Sequence, residues 1–248
     1  MASPDSKSED LDPQAERERL TKIASAYAPG NESLTEKEAN LFAAAEGAID
    51  VVGPEVLVLG AATGVWAPPL LERFDHFDTV DAVADLIEAQ KREYGDRVRG
   101  HVSLFEEFEP KRRYDTVVMG HVLEHVHDAV ALLRRAKSWC KADGRILILV
   151  PNAESVHRLI GVELGFLETP TSFTPGDLAL GHRRVYTQET LANDVKSAGL
   201  ECTKMSGILL KPLSNGQMDA WDPALRAAFF ALGKTLPRFS CVLSCVAT

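Results

Sequence analysis

The chain has 248 residues, of which 27 are lysine or arginine and 36 are aspartate or glutamate, so its formal net charge is -9. This length fits one α/β domain with a lid, and the acid excess disfavours nucleic acid as a partner because it repels a polyanion. We also expect no membrane partner, since no apolar run reaches the ~18 residues of a membrane-spanning helix. Four scattered cysteines, and a start without the basic-then-apolar order of a secretory signal, favour the cytoplasm.

The N-terminal region is predicted to lie outside the core. Residues 1–14 are polar, acidic and poor in apolar side chains, which predicts a disordered tail. Arg17–Tyr27 then has apolar residues at helical spacing, and a second helix begins at the Ser33 cap and ends near residue 50. Residues 15–50 are therefore predicted to form a helical lid in front of a core at 51–248.

The core begins with a regular alternation of apolar strands and amphipathic helices. The predicted strands are Val56–Leu59, Phe77–Val80, Val98–Leu104, Thr116–Gly120 and Arg145–Val150. The predicted helices between them are Pro68–Phe74, Asp85–Glu93 and Val130–Cys140. Such alternation is typical of a parallel, doubly wound sheet, whose ligands lie at the carboxyl ends of the strands. The turns after these strands are therefore the first places to look for a site.

The rhythm is interrupted by residues 152–186, which contain several glycines and prolines. This stretch is too long for a plain connection, so we interpret it as an insertion that covers a substrate. A helix at Thr187–Ala198 and a strand at Leu200–Ser206 follow. A last helix runs from Asp222 to about residue 235, and Ser240–Ala247 supplies a final apolar strand.

A small-residue turn after the first strand indicates a nucleoside site. Gly60 and Gly64 allow the backbone to approach a ligand that a Cβ would exclude, and Asp81 ends the next apolar run about 20 residues later. A carboxylate there accepts hydrogen bonds from two vicinal ribose hydroxyls. The dinucleotide pattern G-x-G-x-x-G requires glycines where Ala62 and Val65 stand, so a nicotinamide cofactor is disfavoured.

What remains, G-x-(G/A)-x-G, resembles the loop of the class I S-adenosylmethionine (SAM) methyltransferases, and the resemblance extends over roughly Leu41 to Ala247. It implies a Rossmann-like, doubly wound, seven-stranded sheet with one antiparallel strand, and SAM as cofactor with S-adenosylhomocysteine as product. The loop departs from the family pattern at Val58, where an acid is usual, and at Ala62, where a glycine is usual. Either another polar group replaces that acid or the cofactor is held less tightly.

The resemblance also implies where the cofactor lies. Asp81 meets the ribose, with capping of the following helix as its alternative role. Val83 or Ala82 is expected to lie against one side of the adenine, and the turn Ser103–Glu106 against the other, although Phe105 is as well suited to core packing. The expected cofactor-binding residues are Gly60, Ala61, Ala62, Gly64, Asp81, Ala82, Ser103, Leu104, Phe105, Gly120 and His121.

Two histidines are candidates for the general base. The segment His121–Asp128 is similar to the one that follows the fourth strand in small-molecule methyltransferases, and its His121 comes directly after the strand. His182, at the end of the insertion, is the other candidate; each histidine is equally suited to a structural role. Ubiquinone-pathway O-methyltransferases carry a similar E-x-x-E-H thought to hold a divalent metal. Glu124 and His125 are nonetheless expected to start a helix and to pack, with no metal bound.

The acceptor is expected to be a small molecule, methylated on oxygen, nitrogen or an electron-rich carbon, in secondary or cofactor metabolism. Tyr27, Asn152, Tyr186 and Asn215 are the candidate substrate contacts. The protein is expected to act as a monomer or homodimer. Two alternatives stay open: a non-catalytic binding protein that kept the fold while its loop weakened, and, less favoured, a nicotinamide-dependent oxidoreductase.

Overall fold

A seven-stranded sheet forms the centre of the protein, whose computed structural model describes residues 12–24 and 33–248. The strand order is β3-β2-β1-β4-β5-β7-β6. The strands are β1 Val56–Leu59, β2 Phe77–Asp81, β3 Val98–Val102, β4 Tyr114–Gly120, β5 Cys140–Pro151, β6 Cys202–Ile208 and β7 Val242–Ala247. β7 pairs antiparallel with both β5 and β6, while the other neighbouring pairs are parallel. The predicted fold class, with its single antiparallel strand, is confirmed.

Helices cover both faces of the sheet. They are α1 Pro13–Ala24, α2 Leu34–Ala48, α3 Ala67–Leu71, α4 Ala84–Tyr94, α5 Ala129–Trp139, α6 Val156–Glu163, α7 Pro175–Ala179, α8 Gln188–Ser197, α9 Asn215–Met218 and α10 Pro223–Leu232. Among the described residues, none of these helices has the length and apolar character that crossing a bilayer requires.

The alternation of side chains along each strand builds two cores, one on each face. In β1, Leu57 and Leu59 pack into one core with α5 and α8, whereas Val56 and Val58 pack into the other with α2 and α3. Both sets are almost completely buried, as expected for a central strand covered by helices on both sides. Val58, where the resemblance leads us to expect an acid, is therefore an ordinary core residue here.

The strand order reverses between β1 and β4, and this places the site. β2 and β3 extend the sheet from β1 in one direction, and β4 and β5 extend it in the other. At such a switch point the loops that leave neighbouring strands diverge and open a crevice at the carboxyl edge. The turn after β1, Asp81 at the end of β2, and Gly120 at the end of β4 all lie at that edge.

Several predicted boundaries differ from the observed ones. The tail predicted at 1–14 overlaps α1, which begins at Pro13, and residues 1–11 and 25–32 lie outside the described part of the chain. β3 ends at Val102 rather than Leu104, so the next residues form a turn. The segment 152–186, predicted to be an insertion, contains two helices, α6 and α7, for which no bounds were predicted. Helices of five to eight residues with no long apolar stripe give little periodic signal.

Candidate active site

Two cavities open side by side at the carboxyl edge of the sheet. The smaller, of about 120 Å³, includes Asp81 in its wall and is called the Asp81 cavity here. The larger, of about 270 Å³, includes Lys211 and is called the Lys211 cavity. Gly60, Ala62 and His121 belong to the walls of both cavities. The two cavities therefore form one cleft whose compartments meet at the turn after β1 and at His121.

The turn after β1 adopts an unusual backbone. Its φ angle is 84° at Gly60, 39° at Ala62 and 77° at Gly64, so three alternate residues lie in the left-handed region. Glycine adopts this region without a steric penalty, whereas a residue with a Cβ is strained there. Ala62 therefore occupies a position at which the backbone itself favours glycine, which gives the glycine spacing of the loop its physical basis.

Two side chains hold this turn in place. Asp81 Oδ2 accepts a hydrogen bond of 2.8 Å from the Ala61 N–H, and Gln90 Nε2 donates one of 2.6 Å to the Ala61 carbonyl. Gln90 comes from α4 and is buried. These two contacts fix both polar groups of the Ala61 backbone, and they do so without the acid that the resemblance leads us to expect at the position of Val58.

Asp81 also organises the turn that follows its own strand. Its Oδ1 accepts a 2.8 Å hydrogen bond from the Val83 N–H, at the start of α4. Burial raises the pKa of the Asp81 carboxyl, and the hydrogen bonds from the Val83 and Ala61 backbone oppose this rise. The carboxylate thus caps the α4 turn and, in the same position, contributes to the wall of the Asp81 cavity.

The far wall of the Asp81 cavity comes from the turn after β3 and from the N-terminal helix. Ala82, Ser103, Leu104 and Phe105 all line it, although the Ser103 hydroxyl already donates to the Leu104 carbonyl over 2.9 Å. From α1, apolar side chains close the same cavity, and these are Leu20, Ile23 and Ala24. The exposed surface of the cavity is therefore mostly apolar, with polar groups at Asp81 and, elsewhere in the wall, at residues such as Arg19 and His121.

His121 lies at the junction of the two cavities in a constrained conformation. Its φ is 58°, and its N–H donates to the Leu149 carbonyl over 2.8 Å. Its Nδ1 lies 3.1 Å from Oε1 of Glu124, which is fully buried. Burial alone would raise the pKa of Glu124, but the hydrogen bond with His121 and the charge of that imidazole hold it below its ordinary value. An ionised Glu124 therefore orients the imidazole.

A second imidazole, His182, lies in the Lys211 cavity beside the same carboxylate. One ligand atom each of Glu124, His125 and His182 lies within 4.8 Å of the others, and the His125 and His182 rings meet edge to face at 4.7 Å. His182 Nδ1 also lies 3.1 Å from Oδ1 of Asp177. Burial lowers the pKa of His125 to about 4, so this ring is neutral near pH 7. Carboxylates and imidazoles are common ligands of divalent metals. The expected absence of a metal stays a prediction.

Asp177 is itself fixed from behind by the insertion. Arg158 Nη1 lies 3.0 Å from Asp177 Oδ2, and both side chains are almost fully buried. Thr174 adds hydrogen bonds to the same oxygen from its N–H and its hydroxyl. Burial raises the pKa of Asp177, but the contact with His182, the Thr174 N–H and the Arg158 guanidinium together hold it well below its usual range. The result is a rigid anionic support for His182.

The chain matches a family model described as a methyltransferase domain over residues 31–205. It belongs to this methyltransferase family. A ubiquinone biosynthesis O-methyltransferase of Rhodopseudomonas palustris (strain BisB5) is 24% identical over 196 residues, which cover 75% of this chain and 72% of the relative. The family uses SAM, so the predicted cofactor is confirmed and the nicotinamide alternative is not supported.

Solved structures of methyltransferases share the fold. The 1,6-didemethyltoxoflavin-N1-methyltransferase of Burkholderia thailandensis, with bound 1,6-didemethyltoxoflavin and S-adenosylhomocysteine, has a TM-score of 0.63 and 18% identity, covering 100% of this chain and 92% of that one. The magnesium protoporphyrin IX methyltransferase of Synechocystis PCC 6803, with bound S-adenosylhomocysteine, has a TM-score of 0.59 and 13% identity, covering 95% and 94%.

The structure brings most of the sequence-predicted residues of this methyltransferase to the cleft. Ala61 and Gly120 line the Lys211 cavity together with Asn215. A Cβ on Gly120 would lie 2.4 Å from Trp66 Nε1, so only glycine fits between that ring and the cleft. Gly64 shapes the turn and does not line either cavity. Tyr27 lies outside the described residues.

Two predicted substrate contacts are placed elsewhere. Asn152 is buried, and its Nδ2 donates to the Arg238 and Ser240 carbonyls, each over 2.8 Å. Tyr186 is also buried, and its hydroxyl donates to Asp194 over 2.9 Å. Neither residue lines either cavity. Both side chains satisfy their polar groups inside the protein, so they support the cleft without facing it.

Sequence reasoning missed the residues that support the site from a distance. Asp177 and Arg158 are separated by 19 positions and belong to two short helices of the insertion. Glu36 reaches the Lys211 cavity from α2, and Leu20 reaches the Asp81 cavity from α1. The lid over residues 15–50 stays a prediction, and no motif indicated which side chains of its helices face the cleft.

Proposed function

We propose that this SAM-dependent methyltransferase transfers the methyl group to oxygen, nitrogen or an electron-rich carbon of a small molecule, in secondary (natural-product) or cofactor metabolism. The observation that carries the proposal is the division of the cleft into two cavities that meet at His121. We assign the nucleoside to the Asp81 cavity and the acceptor to the Lys211 cavity. The methyl group then passes between them at the shared wall.

Asp81 is proposed to bind the ribose. The carboxylate uses one position on each oxygen for the Ala61 and Val83 N–H groups. Each oxygen of a carboxylate has a further lone pair, so both can still accept from vicinal hydroxyls. Leu104 and Phe105, which line the apolar wall of this cavity, are proposed to contact one face of the adenine. Asp81 thereby links the shape of the glycine turn to the binding of the cofactor.

Catalysis is proposed to depend mainly on alignment. The sulfonium already activates the methyl group, so the transfer needs an attacking atom about 3 Å from the methyl carbon and in line with the breaking bond. When the acceptor carries a proton, a base must remove it. His121 is the first candidate, because Glu124 engages its Nδ1 and leaves Nε2 for the acceptor. His182, supported by Asp177, is the second.

The N-terminal helices and the insertion are proposed to exclude water from the cleft. Arg183 pairs with Glu16 at 3.1 Å, and Arg19 donates to the Gly181 and His125 carbonyls, each over 3.3 Å. These contacts tie α1 to the end of the insertion directly above the shared wall. A closed, partly apolar cleft of this kind suits a small acceptor better than a protein surface.

The test is methyl transfer by three histidine variants. Release of S-adenosylhomocysteine is followed with a panel of phenols, amines and indoles, for wild type, H121Q, H182Q and the exposed control H127Q. At least one of H121Q and H182Q should lose roughly 10²–10⁴-fold in turnover at saturating acceptor while SAM affinity stays nearly unchanged. H127Q should retain full activity. Wild type should also retain full activity when a metal chelator is added, because no metal is expected to take part. Full activity in both site variants would contradict the base assignment.

A further inference from the structure

Lys211 is a cation in the wall of the larger cavity that no part of the proposed reaction uses. Its Nζ lies 2.8 Å from Asn215 Oδ1, and Asn215 lines the same cavity. Among the described residues, Lys211 takes part in no ion pair within 4.0 Å. It is also the one lysine or arginine in the described wall of this cavity, in a protein with a net charge of -9. An unpaired ammonium in a cleft attracts an anion.

The lysine is held in a fixed position rather than on a loose surface loop. The preceding residue, Leu210, donates its N–H to the Phe229 carbonyl over 3.2 Å. On the other side His157, a half-buried residue of α6, hydrogen-bonds to the Lys211 backbone. Since the backbone is secured on two sides and the ammonium rests on Asn215, the charge has a defined place in the cavity wall. Its neighbours there include the apolar side chains of Leu209 and Val242.

The position of Lys211 in the sheet separates it from the cofactor. Gly60 follows β1 and Gly120 is the last residue of β4, whereas Lys211 comes after β6 at the edge of the sheet. Three strand spacings, or roughly 14 Å, separate β4 from β6. In the proposed arrangement the ribose lies at Asp81 and the methyl group at His121, so the short methionine end of the cofactor lies close to the glycine turn. Lys211 therefore lies toward the acceptor side of the cavity.

We propose, on the basis of the proposed function, that the acceptor is a small, mostly apolar acid whose carboxylate binds Lys211 and Asn215 while its nucleophilic atom lies at His121. The Asn215 side chain uses Oδ1 for the lysine, so its Nδ2 and the ammonium together offer two donors to the two oxygens of a carboxylate. Glu36 also lines the cavity, from α2, and lies beyond ion-pair distance of Lys211. It repels an acid that binds in the reverse orientation.

The experiment compares carboxylic acids with their primary amides. Protein saturated with S-adenosylhomocysteine is titrated calorimetrically with para-hydroxybenzoate, indole acetate and cinnamate and with the amide of each. At least one acid should bind about tenfold or more tightly than its amide, the ratio expected for a charge-assisted hydrogen bond. K211M should abolish this preference, K211R should keep it, and the control K91M, at an exposed lysine of α4, should behave as wild type.

The outcomes separate this inference from the function on which it rests. Loss of the acid preference in K211M, with unchanged affinity for S-adenosylhomocysteine, supports the assignment. Equal binding of acids and amides, no binding of either, or a preference that survives K211M overturns it. A fall in S-adenosylhomocysteine affinity in K211M also overturns it, because the lysine then serves the cofactor. If wild type does not bind S-adenosylhomocysteine at all, the proposed function fails instead.

Discussion

Ala62 offers a direct test of how the glycine turn is built. Its φ of 39° places the backbone of a residue that carries a Cβ in the left-handed region, whereas the preceding residue, Ala61, does not have a positive φ. The left-handed conformation destabilises a residue with a Cβ by roughly 1–2 kcal/mol. Against this, the loss of backbone entropy on folding is about 0.5–1 kcal/mol larger for glycine than for alanine. Ala62→Gly should therefore raise the free energy of unfolding by about 0.5–1 kcal/mol.

The neighbouring Ala61→Gly is the matched control. It incurs the same entropic loss without relief of strain, and it removes a buried methyl group, so it should lower the free energy of unfolding by about 1–2 kcal/mol. The two variants should differ by roughly 4–8 °C in thermal midpoint for a chain of this size. Urea unfolding and thermal melts, with a titration of S-adenosylhomocysteine, measure both effects. If Ala62→Gly destabilises the protein as much as Ala61→Gly does, the strain argument is refuted.

Three further predictions concern stability. Gly120→Ala drives a Cβ into the Trp66 ring and should lose about 1–3 kcal/mol with weakened SAM binding, whereas Gly216→Ala, which meets nothing within 4 Å, should be neutral or slightly stabilising in a thermal melt. Asp177→Asn leaves the buried guanidinium of Arg158 without its carboxylate, so the free energy of unfolding measured in urea should fall by about 3–5 kcal/mol. The control Lys91→Gln, at a solvent-accessible ion pair, should lower it by less than about 0.5 kcal/mol, and equal losses would contradict the role of the buried pair. Burial lowers the pKa of His157 to about 3, so the folded state binds fewer protons than the unfolded state and stability should fall as pH drops from 6.5 toward 4. His157→Gln should flatten that slope in urea midpoints at pH 7, 6 and 5, and an unchanged slope would show that other groups cause it.

The sequence was sufficient to predict the features that depend on local periodicity. Val56–Leu59, the turn at Gly60 and the acid at Asp81 lie within one βαβ unit, where strand patterning and turn chemistry act over about 30 residues. His121 was found for the same reason, since it directly follows a clear apolar strand. Parallel strands bring their carboxyl ends to one edge, so residues far apart in sequence could be predicted to meet there.

The parts of the site that local periodicity could not place depend on contacts between distant segments. Asn152 follows a strand at the correct edge, but its amide turns inward to carbonyls 86 and 88 positions away. Lys211 reaches the cleft because β6 runs parallel to β5 with β7 between them, an order that the periodicity of the strands alone does not specify. Asp177 acquires its role through Arg158, a pairing of two short helices. Such pairings leave no periodic signal in the chain.

The central claim is that the cleft binds SAM at Asp81 and presents its methyl group at His121. Calorimetric titration of the full chain with SAM, S-adenosylhomocysteine and NADH, on wild type and on Asp81→Ala, tests it most directly. The account predicts micromolar binding of both sulfur ligands, no binding of NADH, and a loss of about 1–3 kcal/mol in the variant as its charge-assisted hydrogen bonds disappear. Wild type that binds neither sulfur ligand, or Asp81→Ala that binds them as tightly as wild type does, would contradict it.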